Sequence, residues 1–291
     1  MRASIQSAFL PDGRLHLQEG PIDLIIEAFG AATEVRRAYA AAAEAFQHVL
    51  PELVGELSLL RSPLRESLPA VEGSIARRML RASAVHRPAF VTPMAAVAGA
   101  VADHVLAAMT SAATLSRAYV NDGGDIALHL APGESLACGL VAEVEVPRLN
   151  GRALVSAGMP VRGIATSGRA TLGQGGRSFS LGIADAVTVF AKDAAAADVA
   201  ATLLANAVDL PDHPAVCRCR AEEIDPESDL SGKMVTLEVG DLNRTALKEA
   251  LGQGVSKAWE MREARLIEAA VLFLRGEVEV VAASSGLLEA A

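Results

Sequence analysis

The chain has 291 residues, and Lys and Arg number 26 against 35 Asp and Glu, which gives a formal net charge of −9. Aromatic residues make up only 3% of the chain. Both values argue against nucleic acid as a partner, because nucleic-acid binding depends on basic surfaces and on rings that stack on bases. A hydrophobic content of 51% is enough for a sizeable core and argues against disorder.

The cellular location is predicted from what the chain lacks. The first twenty residues contain no apolar run of the kind found in secretory signals. No stretch approaches the roughly 18 unbroken apolar residues that span a bilayer. Three cysteines are too few for a disulfide framework, and Cys217-Arg218-Cys219 has neither zinc-finger nor CxxC spacing. We therefore predict a cytoplasmic protein with no membrane partner.

The first 90 residues predict a hairpin followed by helices. Pro11-Asp12-Gly13 is a turn sequence between two short alternating segments. Runs of Ala, Leu, Glu and Arg then favour helices, and prolines separate them. The predicted strands are 5–10, 15–18 and 22–26, and the predicted helices are 31–50, 53–60 and 74–84.

A buried helix is predicted next. Thr92 suits an N-cap, Pro93 suits the first helical position, and the residues up to Met109 are apolar on nearly all sides. After this helix the hydrophobic period changes from 3.6 to 2, which indicates strands. The predicted strands are 117–120, 125–130, 139–146, 163–166 and 186–191.

The last third of the chain predicts a helix that Asp193 caps and that ends near residue 208. A strand at 234–239, a helix at 245–265 and strands at 269–274 and 277–281 follow. Hairpins mixed with separated helices favour an α+β fold with a large mixed, mainly antiparallel sheet. We predict a single domain over 1–291, with 1–90 as a subregion of hairpin and helices.

Asp198 and Thr202 are candidate metal ligands. They are four residues apart on a predicted helix, so both oxygens leave the same helix face. A carboxylate and a hydroxyl are hard oxygen ligands, which Mg²⁺ accepts together with water and substrate phosphate. The alternative is an acidic residue favoured near a helix N-terminus, followed by a Thr in an Ala-rich helix.

Two other segments carry polar groups beside strands. Thr166-Ser167-Gly168 offers two hydroxyls and backbone N–H groups to a phosphate or the edge of a flavin ring. The turn from Asn121 to Asp125 contains Gly123 and Gly124, and we infer that these glycines permit close backbone approach or positive φ. Taken singly, each segment is also compatible with a plain turn.

Taken in order, these segments resemble the FAD:protein FMN transferase family, the ApbE-like proteins. Ala95, Gly99 and Asp103 match the start of the family's first motif. The resemblance extends over residues 92–208, and the sequence is similar to a divergent, uncharacterised ApbE-like branch. The other matching segments are Val-Asn-Asp-Gly-Gly-Asp-Ile at 120–126, Ala-Thr-Ser-Gly at 165–168 and Ala-Asp-Val-Ala-Ala-Thr at 197–202.

The resemblance implies a site for a small-molecule nucleotide, FAD, together with Mg²⁺. It implies that the Asp198 carboxylate, the Thr202 hydroxyl and the Ala95 carbonyl bind the metal. If the protein is catalytic, the implied reaction is metal-assisted cleavage or transfer at a pyrophosphate, and a homo-oligomer is left open. The residues implied to contact FAD are Asn121, Gly123, Gly124, Asp125, Thr166, Ser167 and Gly168.

The chain departs from the family pattern at two positions. The family's Lys in the first motif is Ala98, and the His associated with transfer falls at Leu181. Asp185 is the nearest carboxylate and becomes the candidate base, with a structural turn residue as the alternative. Two other functions therefore stay open, namely a non-catalytic flavin carrier or sensor, and an enzyme of small-molecule cofactor metabolism that uses the same site.

Overall fold

The computed structural model describes residues 5–141, 149–168, 179–282 and 287–290. Part of the predicted strand 139–146 lies outside these residues. The strands are β1 (Gln6–Phe9), β2 (Leu15–Glu19), β3 (Ile22–Phe29), β4 (Arg117–Asp122), β5 (Asp125–Leu130), β6 (Ser135–Val141), β7 (Leu149–Ser156), β8 (Gly163–Ser167), β9 (Ala186–Ala191), β10 (Val216–Arg220), β11 (Met234–Val239), β12 (Ala269–Leu274), β13 (Glu277–Ala282) and β14 (Leu288–Ala290).

Helices alternate with groups of these strands along the chain. A short 3-10 turn, Pro93–Ala96, leads directly into the fifth helix. The helices are α1 (Ala32–Phe46), α2 (Val49–Gly55), α3 (Leu57–Leu60), α4 (Ser74–Ala84), α5 (Val97–Ala112), α6 (Ala194–Ala207), α7 (Ala221–Ile224) and α8 (Arg244–Glu263).

By its internal contacts the chain divides into two compact units, each made of separate stretches of sequence. The prediction of a single domain over 1–291 stays a prediction. The first unit contains Met1–Ala137, Val155–Ala165 and Ala191–Val199, and the second contains Cys138–Leu154, Thr166–Phe190 and Ala200–Ala291.

An antiparallel sheet forms the frame of the first unit, with strand order β1-β2-β3-β4-β5-β8. Alternate residues of β3, namely Ile22, Leu24 and Ile26, are buried. This alternation places one face of the sheet on the core, as an antiparallel sheet with one solvated face requires. The predicted α+β class with a large, mainly antiparallel sheet is confirmed.

Helix α5 is the core helix of the first unit and packs against α1, α4, β4 and β5. Together with the 3-10 turn it forms a helical stretch, Pro93–Ala112, whose length and mean hydropathy of 1.3 would suit a membrane span. Half of its apolar window is buried inside the protein. Burial in the core therefore accounts for its apolar composition.

The second unit contains its own antiparallel strands, with order β9-β12-β13. Every residue of β9 and β12 is buried, and α8 packs against β12 and β13. Strands β10 and β11 form a separate antiparallel pair. The sequence did not predict β10, because the short Val-Cys-Arg-Cys-Arg segment has too weak an apolar pattern.

The predicted helix 31–50 is wrong in one respect, because the chain forms two helices there. Helix α1 ends at Phe46, and α2 begins at Val49. Pro51 therefore lies in the first turn of α2, where a missing backbone N–H has no consequence. The predicted helix 53–60 is likewise divided between α2 and α3, with Glu56 between them.

Candidate functional site

Two carboxylates of the first unit, the buried Asp198 and the half-buried Asp103, bind the N-terminal turns of each other's helices. The Asp198 carboxylate, on α6, accepts the backbone N–H of Gly99 on α5 at 3.0 Å. The Asp103 carboxylate, on α5, accepts the N–H groups of Ala194 and Ala195 on α6 at 3.2 and 3.0 Å. Both helices thus have first-turn N–H groups satisfied by a negative charge from the other helix, which the helix dipole favours.

The small residues of the first motif make this arrangement possible. A Cβ atom on Gly99 would lie 2.3 Å from the carbonyl oxygen of Ala194. Glycine is therefore needed where α5 passes the start of α6, because any side chain would collide with backbone. Asp193 caps α6 as predicted, since its carboxylate accepts the N–H of Ala196 at 2.8 Å.

Thr92 and Ala95 lie at the entrance to α5. Thr92 has the extended backbone of an N-cap before the 3-10 turn, but its side chain makes no capping hydrogen bond. The predicted N-cap position of Thr92 is therefore confirmed, and the Asp198 carboxylate accepts a first-turn N–H of α5. Ala95 lies within the 3-10 turn, four residues before Gly99.

Burial raises the pKa values of three carboxylates in the first unit. It raises the pKa of Asp103 to about 6, although the hydrogen bond from Ala195 opposes this shift. It also raises the pKa of Asp198, against the hydrogen bond from Gly99 and with a further increase from the charge of Asp103. Burial, and then the charges of Asp198 and Asp23, raise the pKa of Asp122 to about 8.

Asp122 is the site residue that the sequence analysis passed over. It ends β4, where inward-facing residues alternate with half-buried ones, and it follows Ala118 and Val120 on the buried face. That alternation was the available signal, since it assigns the carboxylate to the core face. After burial, the charge of Asp198 also raises the pKa of Asp122, so these two carboxylates of the first unit interact electrostatically.

The glycines after Asp122 form the turn between β4 and β5. Gly123 has φ of 63° and Gly124 has φ of 110°, and the Asn121 side chain accepts the Gly124 N–H at 2.8 Å. Apart from their chain neighbours, no described atom lies within 4 Å of the position where either glycine would carry a Cβ. The glycines are therefore required by backbone conformation, and the space beside them is open. Asp125 begins β5, opposite Asp122.

The predicted Thr-Ser-Gly segment lies in the second unit at the end of β8. The Thr166 hydroxyl is 2.9 Å from the Thr188 hydroxyl of β9. Gly168 has φ of 145°, and a Cβ there would lie 2.5 Å from the carbonyl oxygen of Asp185. The structure thus brings this segment and the candidate base Asp185 together through their backbones. Ser167, which lies between Thr166 and Gly168 in the sequence, is half-buried.

The Asp185 side chain has a structural partner. Its carboxylate accepts the backbone N–H of Arg275, which lies in the turn between β12 and β13 with φ of 50°. Its own backbone N–H donates to the Phe273 carbonyl at 3.0 Å. A carboxylate that accepts a hydrogen bond from a hairpin turn stabilises that turn. This contact agrees with the alternative interpretation of Asp185 as a structural turn residue.

Leu181, at the position of the family's His, is held by side chains on both of its backbone groups. Its N–H donates to the Asn206 side chain at 2.9 Å, and its carbonyl accepts from the Arg218 guanidinium. Arg218 also pairs with Asp209. The segment is therefore anchored, but it presents an apolar side chain that cannot transfer a proton.

The described side chains can supply only a few ligands to a metal ion. Within the described ranges no group of three or more His, Cys, Asp or Glu side chains is placed to hold an ion. A magnesium ion would therefore need the Asp198 and Asp122 carboxylates together with hydroxyl, carbonyl, water or phosphate oxygens. This donor set fits Mg²⁺, which is commonly held by one or two carboxylates and substrate phosphate. Thr202 lies one turn after Asp198 on α6 and is half-buried.

Comparisons with known proteins agree with the motifs. A family model described as "AbpE bacteria" matches residues 7–280. A UPF0280 protein of Methanopyrus kandleri is 38% identical over 165 residues, which cover 57% of this chain and 61% of that protein. A UPF0280 protein of Methanothermobacter thermautotrophicus is 39% identical over 150 residues, covering 50% and 54%. The chain thus spans little more than half the length of these curated relatives.

Two solved structures are similar over nearly the whole chain at low sequence identity. A mutant of the flavin transferase ApbE from Vibrio cholerae is 14% identical, with a TM-score of 0.47 and 98% coverage of both chains. The apo form of the flavinyl transferase ApbE from Pseudomonas stutzeri is 12% identical, with a TM-score of 0.41 and coverage of 97% and 95%.

Proposed function

Because the chain belongs to the family described as "AbpE bacteria", we propose that it binds FAD together with Mg²⁺. One observation carries the proposal, namely that the carboxylates of Asp122 and Asp198 are both buried and that burial, and then the charge of Asp198, raise the pKa of Asp122. Two buried like charges are stable only when a proton or a cation neutralises them. A divalent cation supplies that neutralisation and leaves coordination positions for phosphate oxygens.

We assign a metal-binding or ligand-binding role to individual candidate residues. Asp198 and Asp122 hold the cation, and Thr202 and the Ala95 carbonyl supply further oxygens. The open turn at Gly123 and Gly124 accepts the ligand, because its backbone is not covered by side chains. That Thr166, Ser167 and Gly168 of the second unit contact FAD stays a prediction from the family resemblance. Mg²⁺, when bound, neutralises charge on the pyrophosphate oxygens.

The test compares the affinity for FAD in the presence of Mg²⁺ with the affinity in EDTA, and fluorescence titration measures both. We expect tighter binding with Mg²⁺ and loss of that difference in Asp198→Asn. The amide oxygen that this substitution introduces can still accept the Gly99 N–H, so the variant is expected to fold. The matched control is Asp193→Asn, a carboxylate that caps α6 locally. Equal affinities of the wild-type protein with and without metal would remove Mg²⁺ from the proposal.

A second candidate function is non-catalytic flavin binding, and the environment of Asp185 favours it. Transfer to a hydroxyl acceptor needs a base within hydrogen-bond reach. Leu181 cannot serve, and the Asp185 carboxylate already accepts the Arg275 N–H. Loss of a base lowers such rates by about 10²- to 10⁴-fold. We therefore propose FAD binding with weak or no FMN transfer.

In-gel flavin fluorescence after incubation with FAD, Mg²⁺ and an acceptor domain measures transfer directly. We expect no stoichiometric labelling within minutes. Rapid labelling that Asp185→Asn abolishes, with FAD binding retained, would instead establish Asp185 as the base. Rapid labelling that survives Asp185→Asn would assign the proton transfer to another residue. Release of AMP from FAD without an acceptor would indicate pyrophosphate cleavage.

A further inference from the structure

Charge is distributed unevenly in this acidic chain. Residues 61–87 contain six arginines against two glutamates, although the whole chain has a net charge of −9. Residues 222–241 contain seven Asp and Glu against one Lys. The first segment lies in the first unit and the second segment in the second unit. Each segment also carries exposed apolar side chains.

The positive segment forms a basic surface around the end of α4. Leu68 and Val85 are 44% and 57% exposed. Arg77 and Arg81 lie four residues apart on α4, and Val85 follows at the same spacing, so the three form one exposed stripe. We define the basic surface as Arg65, Leu68, Arg77, Arg81 and Val85.

The loop and the helix of the basic surface are joined by Arg87. Its guanidinium donates to the carbonyl oxygens of Arg65 and Glu66 at 3.0 and 2.8 Å, and to that of Ala84 at 3.0 Å. The loop residues therefore lie beside the C-terminal end of α4. Glu66 and Glu72 are the acidic residues of this segment, and they leave a positive excess.

The negative segment carries an acidic surface on α7 and β11, beside Arg220 of β10, which lies opposite Met234 and 3.7 Å from the Glu222 carboxylate. Three apolar side chains there are 43%, 48% and 51% exposed, namely those of Ile224, Met234 and Leu237. Glu222 accepts the Gly232 N–H at 3.0 Å, so α7 lies beside the start of β11. We define the acidic surface as Glu223, Ile224, Met234, Leu237 and Glu238.

We propose that the basic surface of one copy of this chain binds the acidic surface of a second copy. The two surfaces have opposite charges, and each presents apolar side chains that association would remove from water. Arginine rather than lysine supplies the positive charge, and its planar guanidinium pairs well with carboxylates at interfaces. The chain itself thus contains the acidic, partly apolar partner that its basic surface fits.

The contact joins different surfaces on the two copies and is therefore heterologous. Such contacts produce a closed ring when the rotation between copies closes, and an open chain when it does not. Attraction between exposed charges is screened by salt, with a screening length of about 10 Å at 0.1 M and about 3 Å at 1 M. Association is consequently expected to weaken as ionic strength rises.

Light scattering after size-exclusion chromatography tests the contact on the full chain. We expect a mass above that of one chain at low ionic strength and a shift towards one chain in about 1 M NaCl. Arg65→Glu with Arg81→Glu, or Glu223→Arg with Glu238→Arg, is expected to weaken self-association by about 10-fold or more. A mixture of the two double variants restores association, because each then supplies the surface that the other has lost.

The control for the arginine variant is Arg36→Glu with Arg37→Glu, which lowers the net charge by the same amount on exposed residues of α1 and leaves association intact. Circular dichroism verifies folding, and Arg65→Gln with Arg81→Gln replaces the charge reversal if that variant unfolds. A wild-type protein of one-chain mass at low salt overturns the proposal, as does failure of the mixture to associate. Binding to anionic lipid vesicles by a protein of one-chain mass would assign the basic surface to lipid instead.

Discussion

Asp103 and Asp198 each cap the helix on which the other stands. Asp103 accepts two N–H groups at the start of α6, and Asp198 accepts the Gly99 N–H at the start of α5. The arrangement lets one pair of carboxylates satisfy first-turn donors on two helices. It also positions Asp198 next to the entrance of α5, where the Mg²⁺ proposal needs it.

Removal of the Asp103 carboxylate is expected to destabilise the first unit. Asp103→Ala leaves the Ala194 and Ala195 N–H groups without this acceptor, and loss of a cap lowers the free energy of unfolding by about 0.5–2 kcal/mol. Urea denaturation measures the change. The matched control is Asp225→Ala, whose carboxylate accepts the Glu227 N–H on an exposed turn. An equal effect of the two substitutions would mean that the capping of α6 by Asp103 contributes no more to the free energy of unfolding than one hydrogen bond in an exposed turn.

The free energy of unfolding is expected to contain a component that decreases as pH rises. In EDTA, Asp103 and Asp122 have folded-state pKa values of about 6 and about 8, above the ordinary 3.8. The folded chain therefore holds these protons after the unfolded chain has lost them, so their contribution is full below pH 3.8. It is lost up to about pH 6 for Asp103 and about pH 8 for Asp122.

Asp122→Asn isolates this component, because an amide is neutral at every pH. Carboxylates with lowered pKa values, such as Glu34, act in the opposite direction and are unchanged by the substitution. We expect the variant to gain stability relative to wild type as pH rises from about 4 to about 8. The slope is at most about 1.4 kcal/mol per pH unit. Parallel stability curves for the two proteins would show that Asp122 is ionised throughout.

Gly99→Ala and Gly252→Ala are expected to have opposite effects on stability. The new methyl group of Gly99→Ala would lie 2.3 Å from the Ala194 carbonyl oxygen, so we expect a loss of about 1–3 kcal/mol. Gly252 lies in α8 with open space at its Cβ position, and Ala there is expected to add about 0.4–1 kcal/mol. Thermal unfolding of both variants measures the difference. Stabilisation by Gly99→Ala would show that α5 and α6 can separate without penalty.

Gly124→Val is expected to reduce FAD affinity more than it reduces stability. Gly124 has φ of 110°, which a β-branched residue does not adopt readily, and the substitution places a side chain over the open turn. Gly13→Val is the matched control, because Gly13 has φ of 87° in the β1–β2 turn and equally open space. Similar FAD affinity in the two folded variants would mean that the β4–β5 turn is only a connection.

Local chemistry made much of the fold predictable from sequence. The Pro-Asp-Gly turn, the Gly-Gly turn and the alternation of β3 and β4 depend on neighbouring residues, and the structure confirms them. The capping of α6 by Asp193 is equally local. The four ordered motifs likewise led to the family, because their residue types and order are properties of the chain alone.

Tertiary structure alone decided how the candidate carboxylates are used. Asp198 and Gly99 are 99 residues apart, and Asp185 and Arg275 are 90 residues apart. Which backbone N–H a carboxylate meets at such separations depends on the packing of helices and strands, and no local preference encodes it. The same holds for Asp122, since burial and the charge of Asp198 raise its pKa only once β4 and the first turns of α6 have packed in the first unit.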